Sequence, residues 1–434
     1  MSLLDRLRSG KDKSLFASDN QYVMYSTGFE PLDYVNAFYV DYINDKNERC
    51  TDIAKGVMGG RFITIVGSSG TGKSTLADQI AWNIVKPFVS QGAFMMHVDV
   101  EQTVIPQRIY DILGLQPDDP AIDNVIINKE DTYIEDVLKI VDDICKDKQE
   151  HPEEMYETDG KWFGKKKIKV YVPTVIIVDS LPSFVSKDSN TSSIDGQMTT
   201  NREVAMVAQF YTKLLSKISK YNITIIATNH IRPRIVVDPY NQPPPQLMLL
   251  KASETLPRGQ APIFYATSVF RLNVSGKSAI YNKEEHGFTG FRTIAQATKS
   301  KTSFIGGNCT LVFTGDHGYD PTYSLLEFAY DRGMVDGRDS KDPSRSTLHL
   351  KSCPDVRFSK RDFGYKYKNI PEFKKSIDEA LLPEFKSFMI MNEERNHDTD
   401  GVDSKKLFTV DDHGNMVPDN LVEADGEMVI HKTK

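Results

Sequence analysis

The chain has 434 residues, enough for two or three domains with a large core in at least one. Its 53 basic and 60 acidic residues leave a net charge of −7, so a nucleic-acid surface would have to be a local basic patch. Cys50, Cys145, Cys309 and Cys353 are scattered without a C-x-x-C pair, which argues against a disulfide framework or a zinc site and fits a reducing compartment. The first residues, Met1-Ser2-Leu3-Leu4-Asp5-Arg6, lack a signal-peptide core, and no apolar run approaches membrane-spanning length. The expectation is a soluble intracellular protein.

Residues 1–25 are polar and read as an arm. From Tyr22 onward apolar strands alternate with amphipathic helices, the pattern of an α/β fold with a mainly parallel central sheet flanked by helices. Strands are expected at 62–66, 94–98, 174–178, 224–228 and 266–272. Most are near-continuous β-branched runs, as needed where both faces of a sheet are covered. Between the first strand and a helix over 74–85 lies Gly67-Ser68-Ser69-Gly70-Thr71-Gly72-Lys73-Ser74, a G-x-x-x-x-G-K-S loop followed by Thr75. The glycines let backbone N–H groups and a helix N-terminus converge on phosphates. Lys73 would reach the β- and γ-phosphates, and the Ser74 hydroxyl would hold Mg²⁺. The cofactors implied are ATP and Mg²⁺.

The next strand closes on His97-Val98-Asp99-Val100-Glu101. Glu101 is the candidate catalytic base, and for Asp99 a structural role, capping or bonding nearby backbone, weighs equally with a catalytic one. Residues 146–172 are charged around Lys161-Trp162-Phe163-Gly164-Lys165-Lys166-Lys167 and read as a surface hairpin or insertion. Val175-Ile176-Ile177-Val178-Asp179-Ser180 then has the Walker B form, with Asp179 near Mg²⁺. A polar Ser/Thr-rich loop is expected over 186–200. Between 199 and 220, Val204, Val207, Ala208, Tyr211, Leu214, Leu215 and Ile218 recur at helical spacing and should pack in the core. The strand ending in Asn229-His230 puts a polar group at the same sheet edge; His230 is either a phosphate sensor or a satisfied structural residue. After it, the loop 232–262 carries Pro243-Pro244-Pro245 with Arg232, Arg234, Lys251 and Arg258. A loop this long in a compact domain is usually functional or disordered.

The order and spacing of these motifs resemble the RecA-type strand-exchange recombinases, most of all their phage (UvsX-like) branch. The likeness runs from about residue 26 to 336. Ser26-Thr27-Gly28 with Leu32-Asp33, and Gly59-Gly60-Arg61, resemble the family's approach to its ATPase core. The resemblance implies a RecA-like P-loop core over 26–345, with the arm 1–25 serving oligomerisation. Glu101 falls where the family keeps its catalytic glutamate. Arg108 falls where eukaryotic members stack an arginine on adenine. His230 lies at the allosteric switch, where bacterial members carry Gln. Loops 186–200 and 232–262 fall where the family binds DNA, so Arg232, Arg234, Lys251 and Arg258 become candidate phosphate contacts. Lys299-Ser300-Lys301 resembles the bacterial Lys-x-Lys that reaches the neighbouring subunit's γ-phosphate, as an arginine finger does in trans.

What the resemblance implies is a DNA-dependent ATPase that forms a filament on single-stranded DNA and catalyses homologous pairing and strand exchange in recombination and repair. Its partners would be single- and double-stranded DNA, further copies of itself, a single-strand-binding protein and a loader, with no membrane. Its place would be the cytoplasm, that of the host cell if phage-encoded. A DnaB-like hexameric helicase shares the Walker motifs, and a recombination mediator that exchanges no strands is a third reading. The pair Lys299/Lys301, the long loop after His230 and the lack of a helical N-terminal domain favour the recombinase. In the region 346–391, Arg357, Lys360, Arg361, Lys366 and Lys368 interleave with Phe358, Phe363, Tyr365 and Tyr367, either a DNA patch or a surface with snorkelling lysines. The acidic tail 392–434 is expected to be disordered and to compete with DNA; deleting it should raise DNA affinity at low salt.

Overall fold

A computed structural model of the chain describes residues 23–43, 49–158, 168–187, 196–234, 244–245, 250–282, 287–303, 305–340, 342–387 and 389, and four short strands beyond residue 407. They fall in two compact units, Met1–Met389 and Ile390–Lys434. Most of the expected arm (1–22), the centre of the charged insertion (159–167) and much of both expected DNA loops (188–195, 235–243 and 246–249) lie outside the described residues.

Among the described residues the first unit is built on a nine-stranded sheet. Its strands are β1 Phe62–Gly67, β2 Phe94–Asp99, β3 Val125–Asn128, β4 Thr174–Asp179, β5 Ile223–His230, β6 Ser268–Asn282, β7 Gly287–Ser300, β8 Asn308–Thr314 and β9 Gly318–Asp320. They lie in the order β9-β8-β7-β6-β1-β5-β4-β2-β3. Every neighbouring pair from β6 to β3 is parallel, and β7, β8 and β9 extend the sheet antiparallel. This is the mainly parallel α/β architecture expected. The strand expected at 266–272 begins at Ser268 and runs on to Asn282 as one arm of a long hairpin, which the sequence reading did not anticipate.

The helices cover both faces, as the apolar runs require. Those of seven residues or more among the described residues are α1 Lys73–Val85, α2 Pro106–Leu113, α3 Ile134–Glu150, α4 Gly196–Lys220, α5 Pro321–Asp331, α6 Phe363–Asn369 and α7 Pro371–Lys386. Strand alternation sorts β1 between two cores. Ile63 and Ile65 pack with Leu76, Ile80 and Ile84 of α1, whereas Phe62 and Val66 pack with Val137 of α3 and Val207 and Leu214 of α4. Full burial of each such side chain contributes about 1.5–3 kcal/mol. Of the expected α4 stripe, Leu215 is 40 % exposed, while Phe210, outside the stripe, is buried. Helix α4 starts at Gly196, so the last residues of the expected 186–200 loop are helical.

The charged insertion forms a hairpin base, Met155–Glu157 against Lys169–Tyr171. A third core joins Tyr34 to Leu325 and Phe328 of α5 and to Phe358, Phe363, Phe373, Ile377 and Phe385, so the region 346–389 is packed onto the rest of its unit. There Phe358 and Phe363 are buried and Tyr365 is 68 % exposed. In the second unit, where disorder was expected, the described residues pair in two antiparallel hairpins, Phe408–Val410 with Met416–Pro418 and Leu421–Ala424 with Glu427–Ile430. No helix among the described residues is long and apolar enough to cross a membrane.

Candidate nucleotide site

Strands β1, β2, β4 and β5 end at one edge of the sheet, and the register aligns their last residues. Asp179 pairs with Asp99, and His230 with Gly67. Parallel strands bring their C-terminal residues together, which is why open α/β sheets bind ligands there. The loop Gly67–Gly72 leaves β1 and opens α1 with Gly72 in the left-handed region at φ 80°. A side chain at Gly72 would also collide with the Tyr319 hydroxyl at 2.4 Å, so glycine is required twice over. At Gly67 a Cβ would meet Thr71 Oγ1 at 2.7 Å and the Leu272 carbonyl at 2.9 Å. The loop is further held by Thr71 Oγ1 donating to the Ser68 carbonyl (2.9 Å).

Lys73 is buried, and its ammonium donates to the Ser68 carbonyl at 2.8 Å, inside the concavity of its own loop. Burial lowers its pKa, against the opposing pull of Asp179 and Glu101, so the cation sits in a site that an anion would stabilise. Glu101 accepts a hydrogen bond from the Ser180 hydroxyl and lies 3.7 Å from His230 Nε2. Burial and then Lys73 lower the His230 pKa, keeping the ring neutral and able to share a hydrogen bond with a phosphate or water. Asp179 accepts from Thr228 Oγ1 (2.5 Å). Asp99 accepts from the Thr103 and Val104 amides (3.2 and 2.8 Å), the structural role its position suggested.

The Ser74 hydroxyl and the Asp179 carboxylate are hard oxygen donors beside a phosphate loop, a set that fits Mg²⁺, which keeps most of its waters. Behind Asp179 lies a buried pair that the sequence reading missed. His97 Nδ1 bonds Asp78 Oδ1 at 2.6 Å, while His97 Nε2, without a hydrogen-bond partner among the described residues, faces Asp179 Oδ2 at 3.8 Å. Burial opposes the charged imidazole, but Asp78, then Asp179 and Asp99, push its pKa up to about 9. The His97 ring, whose charged form Asp78 favours, thus stands behind the Walker B carboxylate. Its signal in the sequence is Asp78, one helical turn after Ser74 and on the same face of α1.

The antiparallel extension reaches the same loop. Tyr319 of β9 donates its buried hydroxyl to the Thr71 carbonyl (2.8 Å). Gln79 of α1 both donates to the Tyr319 carbonyl (2.8 Å) and accepts from its amide (2.9 Å). Where the preceding turn enters β9, a Cβ on Gly318 would meet Thr75 and Gln79 of α1 and Ile112 of α2. Arg108 of α2 donates to the Gly315 and Asp316 carbonyls of that turn (2.7 and 2.8 Å), so its guanidinium is fixed beside the phosphate-loop helix.

The other candidates lie elsewhere. Arg232 and Lys251 are exposed and Arg234 is half-buried, around the short ladder of Arg232–Pro233 with Glu254–Thr255. Arg258 is different. Its guanidinium bonds Glu203 and the carbonyls of Leu181 and Pro182, and only 10 % of its side chain is exposed. It braces the loop base and leaves no free fork for a phosphate. Lys299 and Lys301 sit at the far edge of the sheet: Val269 pairs with both Lys299 and Thr64, early in β1. The Lys299 ammonium donates to the Ile263 and Phe264 carbonyls (2.5 and 2.7 Å), whereas Lys301 is exposed with no side-chain partner among the described residues.

Residues 30–233 match the family profile described as an AAA domain. No curated protein matches the chain significantly.

Proposed function

We propose that this chain, whose residues 30–233 match the AAA-domain profile, is an ATP-dependent DNA recombinase that forms a filament on single-stranded DNA and carries out homologous pairing and strand exchange. The observation that carries this reading is the separation of Lys299 and Lys301 from their own phosphate loop. From the level of Thr64 to Gly67 is about 10 Å along the strand, and two strand spacings add about another 10 Å across the sheet. An extended lysine cannot cover that distance, and in the proposed reading these cations would serve a phosphate held by another copy of the chain. A complete site then needs two subunits, and the nucleotide becomes part of the assembly's interface.

Within one subunit Lys73 and the loop amides would hold the phosphates, and Ser74 and Asp179 would hold Mg²⁺, which would supply positive charge to offset theirs. Glu101, steadied by Ser180, would orient the attacking water and take its proton. Neutral His230 would contact the γ-phosphate and pass its presence to the segment after β5, an order–disorder switch of the kind phosphate sensing uses. Arg232, Arg234 and Lys251 around that segment supply cations for a DNA backbone. Because coupling is reciprocal, DNA bound there would favour the nucleotide-bound interface.

ATPase activity with and without single-stranded DNA, paired with negative-stain images of the ATP-bound protein, tests the reading. Filaments on single strands with DNA-stimulated hydrolysis support it. Closed six-membered rings that unwind forks would establish the helicase instead, and nucleotide-bound filaments that pair no homologous strands would establish a mediator.

A further inference from the structure

A cavity of about 410 Å³ opens between two hairpins, Phe38–Ile43 with Arg49–Ala54 and Met155–Glu157 with Lys169–Tyr171. The strand Met24–Tyr25 and Phe88, just after α1, complete its walls. Three aromatic side chains are tied together there. Tyr25 meets Phe88 edge to face at 6.1 Å, Phe88 meets Tyr156 at 4.6 Å, and the two tyrosine hydroxyls share a hydrogen bond of 2.8 Å. Asn222, which leads into β5, donates to the Tyr25 hydroxyl (2.6 Å) and to the Tyr171 carbonyl (2.7 Å). The cavity therefore sits at the edge where β5 begins, opposite the edge that holds the phosphate loop.

Close-packed interiors leave few voids larger than a water molecule, whereas ligand pockets run to about 300–1,000 Å³ and are mostly apolar with a few polar groups. The polar groups here have one sign. The Thr158 hydroxyl donates to the Ile168 carbonyl (3.2 Å). Burial, and then Tyr156, push the Tyr25 phenol well above its usual range, so it stays neutral. Asp52 and Glu157 supply the charge, one on each hairpin, and no basic side chain lines the cavity among the described residues. Carboxylates and aromatic faces attract the same kind of ligand, a cation on an apolar stem. Two carboxylates on separate hairpins beside an apolar wall suit a cation at each end of an alkyl chain. We propose that this cavity binds a linear aliphatic polyamine, whose ammonium groups pair with Asp52 and Glu157 and whose methylenes lie against Phe88 and Tyr156. The bound ligand would bridge the two hairpins.

Calorimetric titration of the full chain with spermidine, free of DNA and nucleotide, tests this independently of the proposed function. Butanediol serves as an alkyl stem without charge, and KCl at matched ionic strength as charge without a stem. Spermidine should bind at one site per chain and raise the thermal midpoint, and neither control should do so. Asp52→Asn keeps the oxygen that accepts the Ile53 amide (2.7 Å), and Glu157 is exposed, so Asp52→Asn and Glu157→Gln should fold as the wild type does. Each should weaken spermidine binding about tenfold. Asp118→Asn, an exposed carboxylate outside the cavity, should bind as the wild type does. Binding that both cavity substitutions leave unchanged, or that Asp118→Asn weakens equally, would assign the polyamine to general surface charge and overturn the inference. A wild type that takes up no spermidine overturns it as well, whether another part of the chain fills the cavity or nothing does.

Discussion

The two halves of the sheet treat the nucleotide differently. The parallel half collects Lys73, Glu101, Asp179 and His230 at one edge, where chain direction alone makes strand ends meet. The antiparallel extension serves that loop from the side through Tyr319, and carries Lys299 and Lys301 at the opposite edge. One half gathers the phosphate-loop residues, and the other holds cations too far from that loop to reach it. In the proposed reading the sheet would have a donor edge and an acceptor edge, as repeated head-to-tail association requires.

Substitutions on each half should separate these roles. The largest effect is expected at Lys301→Ala: removing a cation supplied in trans should lower DNA-stimulated kcat by about 10³-fold or more, with nucleotide binding by isolated subunits unchanged. A variant hydrolysing normally would detach the extension from catalysis. Glu101→Gln should lower kcat by about 10²–10⁴-fold while keeping nucleotide affinity; a fall in affinity of the same size would make Glu101 a binding group instead. Asp78→Asn leaves His97 buried without its counter-charge and should cost about 3–5 kcal/mol of stability, read as a lowered thermal midpoint, with weaker Mg²⁺ dependence in what remains folded. An unchanged midpoint would remove the pair from the account. The smallest effect concerns Tyr319→Phe, which removes one hydrogen bond to the phosphate loop and should cost about 1 kcal/mol. A hydrolysis defect larger than that would tie the extension to chemistry within its own subunit.

A pH test reports on the base of the same scaffold. Lys148 donates to the Val172 and Tyr221 carbonyls (2.8 and 2.9 Å), just before β4 and β5, and burial brings its pKa down to about 7. Between pH 7 and 10 the unfolded chain therefore binds more protons there than the folded one, so this group makes stability rise with pH. The wild-type midpoint should climb relative to Lys148→Met across that window, and parallel curves would contradict the buried, neutral amine.

Much of this was legible in the sequence because the parallel half depends on local signals. An apolar run, a glycine loop and a carboxylate after a strand fix both the element and its edge, so the strands near 62, 94, 174 and 224 fall where the runs put them. The unforeseen parts depend on packing between distant segments. Asp78 and His97 are separated by 19 residues and meet only when α1 lies on β2. The carboxylate that occupies Arg258 lies 55 residues upstream in α4, so the loop's composition could not show that this cation was spent. The helix carbonyls that take the Lys299 ammonium lie 35 and 36 residues before it, so Lys-x-Lys spacing could not show that contact.

Mixing two inactive proteins tests the shared site most directly. Lys73→Ala lacks the subunit's own half of the site and Lys301→Ala lacks the half given to a neighbour, so each alone should be inactive in the presence of single-stranded DNA. In a random equal mixture roughly a quarter of the junctions would join an intact half of each kind. ATPase activity should reappear on mixing, to a substantial fraction of the wild-type rate. Activity that stays at the level of the separate variants would contradict a nucleotide site built from two subunits.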